Sequence, residues 1–190
     1  MYGAILQGEP SAVDVGGSPV RIRAGFRTGL RAEGIDRRDP WGQTRLLWLW
    51  YGDAGRRALP PAVAADPWGA LSAGCTWHDR AWEALPYGGG GPGAGSARAF
   101  DWEADAAIVC ADFRRLYGID LADAGTRLHW HTFCALTLSA ARTRGSLLGE
   151  ALSARTYRGP DPGGGRRAAA RAWALPPTEE EIAMAALARF

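Results

Sequence analysis

Five cysteine and histidine side chains have the types and spacing best suited to chemistry in this sequence. They form two motifs, Cys75-x-x-His78 and His129-x-His131-x-x-Cys134. Each motif places two ligands about one helical turn apart, which is compatible with a tetrahedral zinc site. Structural zinc fingers use tighter pairs, however, and His129 and His131 would point about 200° apart if residues 127–140 were helical. We therefore interpret the cysteines as small buried apolar residues, and keep a zinc-stabilised protein as an alternative.

Asp101, Glu103 and Asp105 form a second candidate site, a cluster of carboxylates that could hold a metal ion. Their position at a predicted helix start explains them more simply, because the positive end of the helix dipole favours acidic side chains. No matching acids lie at helix-bundle spacing elsewhere in the sequence. The sequence therefore predicts no metal site in this stretch.

The composition excludes several classes of enzyme. All 22 basic residues are arginine, and the sequence contains neither lysine nor asparagine. Without lysine there is no Walker-type phosphate loop and no Schiff-base lysine, and without asparagine there is no papain-like Cys-His-Asn triad. The Gly-x-Ser-x-Gly elbow of serine hydrolases is also missing. We therefore predict a protein that is not an enzyme and that has no catalytic residue and no cofactor.

Charge and hydropathy predict neither a nucleic-acid partner nor a membrane partner. The net charge is +2, and acids are interspersed with the arginines along most of the chain. DNA-binding domains usually carry a basic stripe instead. No apolar run reaches the roughly 18 residues that cross a bilayer. The three cysteines are an odd number, which argues against a disulfide framework and fits a reducing cytoplasm.

The elements that must position these side chains are mainly helices. Residues 13–23 alternate in polarity around Gly16-Gly17, which predicts a β-hairpin. The word Asp-Pro-Trp-Gly occurs at residues 39–42 and again at 66–69. Each copy predicts a helix start, because Asp caps free N–H groups and Pro fits the first turn. The predicted fold class is mainly α, a small helical domain with a short N-terminal β-hairpin.

The second half of the sequence predicts three more helices and a tail. An amphipathic helix begins near Asp101 and stops at Gly118, a second begins at about Arg127, and a third follows Ser146. We predict one domain over residues 1–158, with the hairpin and first helices at 10–85, a glycine-rich linker at 86–99 and the later helices at 100–158. A Pro/Gly-rich tail at 159–190 follows, and a capping box of Thr178 with Glu181 predicts a short C-terminal helix there.

Three spaced words in the second half resemble a known family. They are Phe100-Asp101-Trp102-Glu103-x-Asp105, Phe113-x-x-x-Tyr117-Gly118-Ile119-Asp120-Leu121 and Leu128-His129-Trp130-x-x-Phe133-x-Ala135-Leu136. In this order they resemble the gene product fifteen-like family of tailed bacteriophages, whose genes lie between those of the major tail protein and the tape-measure protein. Residues 13–31, where the hairpin leads into Phe26-Arg27, and the later helix with Arg155-Thr156 also resemble the family, so the resemblance extends over about residues 10–158.

The signature residues of this resemblance are expected to form the core or to support it. They are Phe26, Phe100, Asp101, Trp102, Asp105, Phe113, Tyr117, Gly118, Asp120, Leu128, His129, Trp130, Phe133, Leu136 and Arg155. Six of them are predicted to meet in one core: Trp102, Phe113, Tyr117, Trp130, Phe133 and Leu136. His131 stands where the family usually has a second tryptophan.

The resemblance implies a tail-assembly chaperone without catalytic residues or a cofactor. Its partner would be the phage tape-measure protein, with other tail assembly proteins as further partners, in the cytoplasm of the infected or lysogenic bacterial host. Nine tryptophans suit protein–protein contacts and are also compatible with a homo-oligomer. A minor structural component of the phage tail is the alternative function.

Overall fold

A computed structural model of the chain describes residues 8–53, 55–83 and 99–188. Over these residues it is mainly helical with a two-stranded antiparallel N-terminal hairpin, which confirms the predicted fold class. The elements are β1 (Ala12–Val15), β2 (Ser18–Arg21), α1 (Phe26–Glu33), α2 (Pro40–Tyr51), α3 (Pro61–Ala65), α4 (Pro67–Arg80), a 3₁₀ turn (Ala81–Glu83), α5 (Ala106–Tyr117), α6 (Trp130–Arg142), α7 (Leu147–Thr156), α8 (Gly165–Ala172) and α9 (Glu179–Leu187). The predicted glycine-rich linker lies outside the described residues, apart from Ala99. No helix in the described part is long and apolar enough to span a bilayer.

The chain divides into two compact units. The first contains Met1–Gly90 and Gly125–Leu136, and the second contains Gly91–Ala124 and Thr137–Phe190. This division differs from the single domain predicted over residues 1–158, because the chain leaves the first unit after Gly90 and returns to it over Gly125–Leu136. A return of this kind leaves no signal in composition or periodicity.

The hairpin forms where the alternation of residues 13–23 predicts it. Val15 pairs with Ser18 on either side of Gly16-Gly17. Both glycines have positive φ, at 58° and 82°, which is the conformation that a two-residue hairpin turn requires. The Asp14 carboxylate accepts a hydrogen bond from the Gly17 N–H at 3.0 Å and holds the turn.

Both Asp-Pro-Trp-Gly words start helices, as predicted. The Asp39 carboxylate accepts from the Gly42 N–H at 2.8 Å at the start of α2, and Asp66 accepts from the Gly69 N–H at 2.9 Å at the start of α4. The tryptophans of the two words, however, are 77% and 70% exposed. They therefore contribute little to the packing of the first unit.

In the second unit, α5 begins at Ala106 rather than near Asp101, so the predicted helix start is wrong by five residues. The Asp101 carboxylate instead caps a preceding turn by accepting from the N–H groups of Glu103 and Ala104. The helix ends at Gly118 as predicted, with φ of 67° and its N–H bonded to the Arg114 carbonyl.

The tail contains a helix that the sequence reasoning missed. The N–H groups that open α8 donate to the Asp161 carboxylate, from Arg166 at 3.1 Å and from Arg167 at 2.9 Å. The cap is thus five and six residues away instead of the usual two or three, and it lies among glycines, so no familiar start signal marks this helix. The capping box of Thr178 with Glu181 is present at the start of α9, as predicted.

The six aromatic and aliphatic residues predicted to share a core are distributed over both units. Trp130, Phe133 and Leu136 belong to the first unit, and Trp102, Phe113 and Tyr117 belong to the second. Three of the six, Phe113, Trp130 and Phe133, are at most 1% exposed, and the others are half-buried.

Candidate functional site

The two histidines of the second motif lie close together, contrary to the sequence expectation. Helix α6 begins only at Trp130, so His129 still belongs to an extended segment that forms an antiparallel bridge with Gly25. The ring centroids of His129 and His131 are therefore 5.2 Å apart instead of lying on opposite sides of a helix. Both rings pack against Trp77, at 5.9 and 4.9 Å.

His78 is completely buried and serves as a packing and hydrogen-bonding residue. Its ring stacks on Trp130 with a centroid distance of 4.7 Å and an interplanar angle of 21°. Arg37 Nη2 lies 3.1 Å from His78 Nδ1, and His78 Nε2 lies 3.2 Å from the Gly29 carbonyl. Because arginine can only donate, Nδ1 accepts and Nε2–H donates to the carbonyl. This arrangement uses both ring nitrogens within the protein.

The charged partners of His78 form a short surface network. Arg37 makes two hydrogen bonds of 2.8 Å to the Asp79 carboxylate, whose Oδ1 is also 3.3 Å from His78 Nδ1. Partial burial opposes ionisation of Asp79, but the hydrogen bonds from Arg37 and its positive charge outweigh it and lower the pKa of this carboxyl. The network ties the segment before α2 to the end of α4.

The five candidate zinc ligands are not arranged as a metal site. Over residues 8–53, 55–83 and 99–188, no group of three or more His, Cys, Asp or Glu side chains is placed to hold a metal ion. Burial also raises the pKa of the Cys75 and Cys134 thiols, which disfavours the thiolate form that binds zinc. The cysteines thus fit the interpretation as small buried or half-buried residues.

We expect zinc to have no effect on stability. Adding one equivalent of zinc, or an excess of EDTA, should leave the melting temperature unchanged, because the described histidines already hydrogen-bond or stack within the protein. Differential scanning fluorimetry measures this shift. A zinc content near one per chain, together with unfolding by EDTA, would contradict the expectation.

Acidic pH is expected to destabilise the protein through His131. Burial lowers the pKa of His131 below its ordinary value, against the raising effect of its Nε2 hydrogen bond to the Trp77 carbonyl at 3.0 Å. The unfolded chain takes up a proton near pH 6.5, whereas the folded chain takes it up only at lower pH. The stabilisation is therefore complete above about pH 6.5 and decreases as the pH falls below it.

The measurement is the melting temperature between pH 7.5 and pH 5. The variant His131→Gln stays neutral throughout and keeps an N–H donor, so its melting temperature should decrease less over this range than that of the wild type. Burial also lowers the pKa of His129, with the charge of Glu9 opposing it, so some pH dependence should remain. Equal slopes for the two proteins would contradict the role of His131.

Trp130 is the centre of the aromatic cluster in the first unit. Its ring is 5.6 Å from Phe133 and 5.7 Å from Trp82, and its Nε1–H donates to the His78 carbonyl at 3.0 Å. A Cβ added to Gly29 would lie 2.1 Å from this ring, so α1 can approach only because it has a glycine there. The cluster joins α1, α4 and the start of α6.

An open groove of about 1120 Å³ lies beside this cluster within the first unit. It is lined by Ser11 and by residues 18–28, 50–53, 60–62 and 126–129. The backbone holds these segments together, since Phe26 N–H donates to the Leu128 carbonyl at 2.9 Å and Trp130 N–H donates to the Ala24 carbonyl at 2.7 Å. The groove therefore depends on the segment that leads into α6.

The groove is strongly basic although the whole chain is nearly neutral. Four arginines line it, Arg21, Arg23, Arg27 and Arg127, against one aspartate, Asp53. The Asp53 carboxylate is held by its own loop, where hydrogen bonds from the N–H groups of Arg56 and Gly55 lower its pKa. The lining therefore favours a negatively charged ligand.

Two buried aspartates organise the second unit. Asp105 is 2% exposed and forms a two-pronged pair with Arg155, at 2.7 and 2.8 Å. Asp112 is completely buried and accepts from the N–H groups of Leu147 and Leu148, which open α7. The carboxylates therefore act as structural anchors, and Asp105 is not part of a metal-binding cluster with Asp101 and Glu103 in the described residues.

The segment from His78 to the end of α6 contains most of these anchors, and it is also the part of the chain that is similar to a known family. Residues 78–144 match the family model of Bacteriophage Gp15 protein. We call residues 78–144 the Gp15-like segment. The match supports a relationship to a bacteriophage Gp15-like family and indicates a phage-associated protein. No curated protein and no solved structure matches the chain.

The Gp15-like segment contains all three words on which the sequence resemblance rests. It also supplies residues 126–129 of the groove, together with Trp130 at the centre of the aromatic cluster. Phe26 and Arg155, which were assigned to the signature, lie outside the match. Phe26 nevertheless stacks on Phe133 at 5.3 Å, so it packs directly on the Gp15-like segment.

Sequence reasoning missed the basic groove and the role of Asp112. Arg21, Arg23 and Arg27 lie within seven residues, but Arg127 is 100 positions further along, so the sequence does not show that the four arginines line one groove. For Asp112, the signal was a charged residue on the apolar side of a predicted helix, one position before Phe113. A charge at such a place commonly indicates a buried partner.

Proposed function

We propose that this protein is a non-catalytic phage tail assembly protein that binds the tape-measure protein before the tail tube polymerises. It acts in the cytoplasm of the infected or lysogenic host and needs no cofactor. Two observations support the proposal, and the basic groove is the more important of them. The match of residues 78–144 to a phage protein family supports a phage-associated protein. The groove, with a volume of about 1120 Å³, has room for a segment of a partner protein.

Exposed tryptophans add a second surface that a partner could cover. Trp41 and Trp68 are 77% and 70% exposed, and Trp48 is 41% exposed on the same helix as Trp41. Exposed aromatic side chains are enriched where proteins bind each other. In a chaperone they would contact apolar side chains of a client that must stay unassembled.

Co-expression with the tape-measure protein of the same phage tests the proposal. We expect the tape-measure protein to become more soluble and to elute with this protein in size-exclusion chromatography. A control without this protein gives the baseline solubility. An unchanged soluble fraction together with separate elution would refute the chaperone function.

Mass spectrometry of purified virions separates the chaperone from a structural component of the tail. A chaperone is absent from the mature particle, because it leaves when the tube forms. Stoichiometric recovery of this chain from virions would favour the structural role and count against the proposal.

A further inference from the structure

We infer that the basic groove binds an acidic segment of a partner protein, which adds to the hairpin as a third strand along β2. This inference rests on the proposed function, because it specifies how the partner is held. Residues 18–23 line the groove over their whole length, so a bound segment would lie parallel or antiparallel to them.

The backbone of β2 offers hydrogen bonds on its outer edge. Ile22 N–H donates to the Ser11 carbonyl at 2.9 Å, so Ile22 and Ser11 form a hydrogen-bonded pair of the antiparallel ladder. Such pairs alternate with pairs whose backbone groups point away from the partner strand. Arg21, opposite Ala12, therefore directs its N–H and C=O away from β1, and Pro19, opposite Asp14, directs its C=O the same way. The next outward N–H, that of Arg23, already donates to the Trp50 carbonyl at 3.0 Å, so an added strand pairs with residues 19–21. A strand added at a sheet edge uses groups of this kind.

The side chains of β2 and of the residues after it alternate in a way that specifies the chemistry of the added strand. Val20 and Ile22 are buried on one face, whereas Arg21 and Arg23 are exposed on the other. Neighbouring strands place opposite residues on the same face, where unlike charges attract. A segment that alternates acidic and apolar residues therefore matches β2 on both faces.

The rest of the groove strengthens the preference for acids. Arg127 is exposed in residues 126–129 of the lining, which belong to the Gp15-like segment. Arg27 donates through Nη1 to the Thr126 carbonyl at 2.9 Å, which keeps its positive charge beside these residues. A carboxylate bound in the groove thus meets arginines from two separate parts of the lining.

A protein segment fits this surface better than a nucleic acid does. The three aromatic residues of the lining, Phe26, Trp50 and Tyr51, are at most 5% exposed. Single-stranded nucleic acids need exposed rings on which their bases can stack. The strand edge, by contrast, pairs naturally with a peptide backbone.

The binding test uses the full chain and a fluorescein-labelled peptide with four Glu-Val repeats. A Lys-Val peptide of the same length is the control ligand. Fluorescence anisotropy at low salt should show binding of the Glu-Val peptide and none of the Lys-Val peptide. The double variant R21Q/R127Q should raise the Kd by about 5-fold or more, because each lost exposed ion pair weakens binding modestly.

Two further variants serve as controls. One distinguishes binding in the groove from general attraction to positive charge, and the other distinguishes backbone pairing with β2 from the contribution of the Arg21 side chain. R45Q/R80Q removes two exposed arginines outside the groove lining and should leave the Kd within about 2-fold of wild type, since distant surface charges are screened by salt. R21P removes the N–H that R21Q keeps, so it should bind more weakly than R21Q. Circular dichroism confirms that each variant is folded.

The outcomes distinguish this inference from the proposed function. Equal binding of the two peptides, an unchanged Kd in R21Q/R127Q, or displacement of the peptide by an equal concentration of single-stranded DNA would each overturn the inference. If the tape-measure protein binds wild type and R21Q/R127Q equally, the groove is not its binding site, and the proposed function is retained. If the tape-measure protein binds neither protein while the Glu-Val peptide binds wild type, the groove binds acidic segments, but the tape-measure protein is not the partner.

Discussion

Replacing Trp130 with alanine is expected to lower the free energy of unfolding by about 3–5 kcal/mol. The ring is completely buried, stacks on His78 and Phe133, and donates its N–H to the His78 carbonyl. The substitution leaves a cavity and removes the hydrogen bond to the His78 carbonyl, and Gly29, which faces the ring, has no side chain that could fill the space. Urea unfolding followed by tryptophan fluorescence and circular dichroism measures the loss.

Trp41→Ala is the matched control, because the same residue type is 77% exposed there. It should change the free energy of unfolding by no more than about 0.5 kcal/mol. Similar losses for Trp41→Ala and Trp130→Ala would contradict the central position of Trp130 in the first unit.

Replacing Arg155 with methionine is expected to cost about 3–5 kcal/mol, because it leaves the buried Asp105 carboxylate without its cation. Arg155 is 9% exposed at its side chain, and besides the carboxylate it donates to the carbonyls of Ala99 and Trp173. One side chain therefore connects the turn before α5, the helix α7 and the end of α8. Thermal and urea unfolding should both report the loss.

Arg114→Met is the control for the Arg155 variant. Arg114 also pairs with an aspartate, Asp120, at 2.7 Å, but both side chains are largely exposed. Its loss should leave the stability unchanged within experimental error. Adding Asp105→Leu to Arg155→Met should recover part of the stability, because it removes the buried carboxylate that has lost its cation. A double variant as unstable as Arg155→Met alone would show that lost packing, and not the unpaired carboxylate, dominates.

Both of these anchors lie in residues 78–144, the part of the chain that matches Bacteriophage Gp15 protein. Trp130 and Asp105 lie in the Gp15-like segment, whereas their partners Gly29 and Arg155 lie on either side of it. The segment therefore depends on residues outside the match for its packing. A fragment limited to residues 78–144 would lack both partners.

The sequence by itself determined the features that depend on near neighbours. The turn at Gly16-Gly17, the helix starts at Asp39 and Asp66, and the stop at Gly118 all involve residues two to four positions apart. Their geometry follows from backbone sterics and from the free N–H and C=O groups of helix ends. The mainly helical fold class follows from these local signals and the apolar periodicity.

The tertiary structure alone decided which distant residues meet. Asp105 was expected only to complement the dipole of a nearby helix, but its carboxylate forms an ion pair with Arg155, 50 positions away. His129 lies beside His131 because a bridge to Gly25 keeps it out of α6. The groove combines Arg21 with Arg127 because the chain returns to the first unit after Ala124. Pairings over such distances depend on the path of the whole chain and on burial, and neither is encoded in the spacing of residues along the sequence.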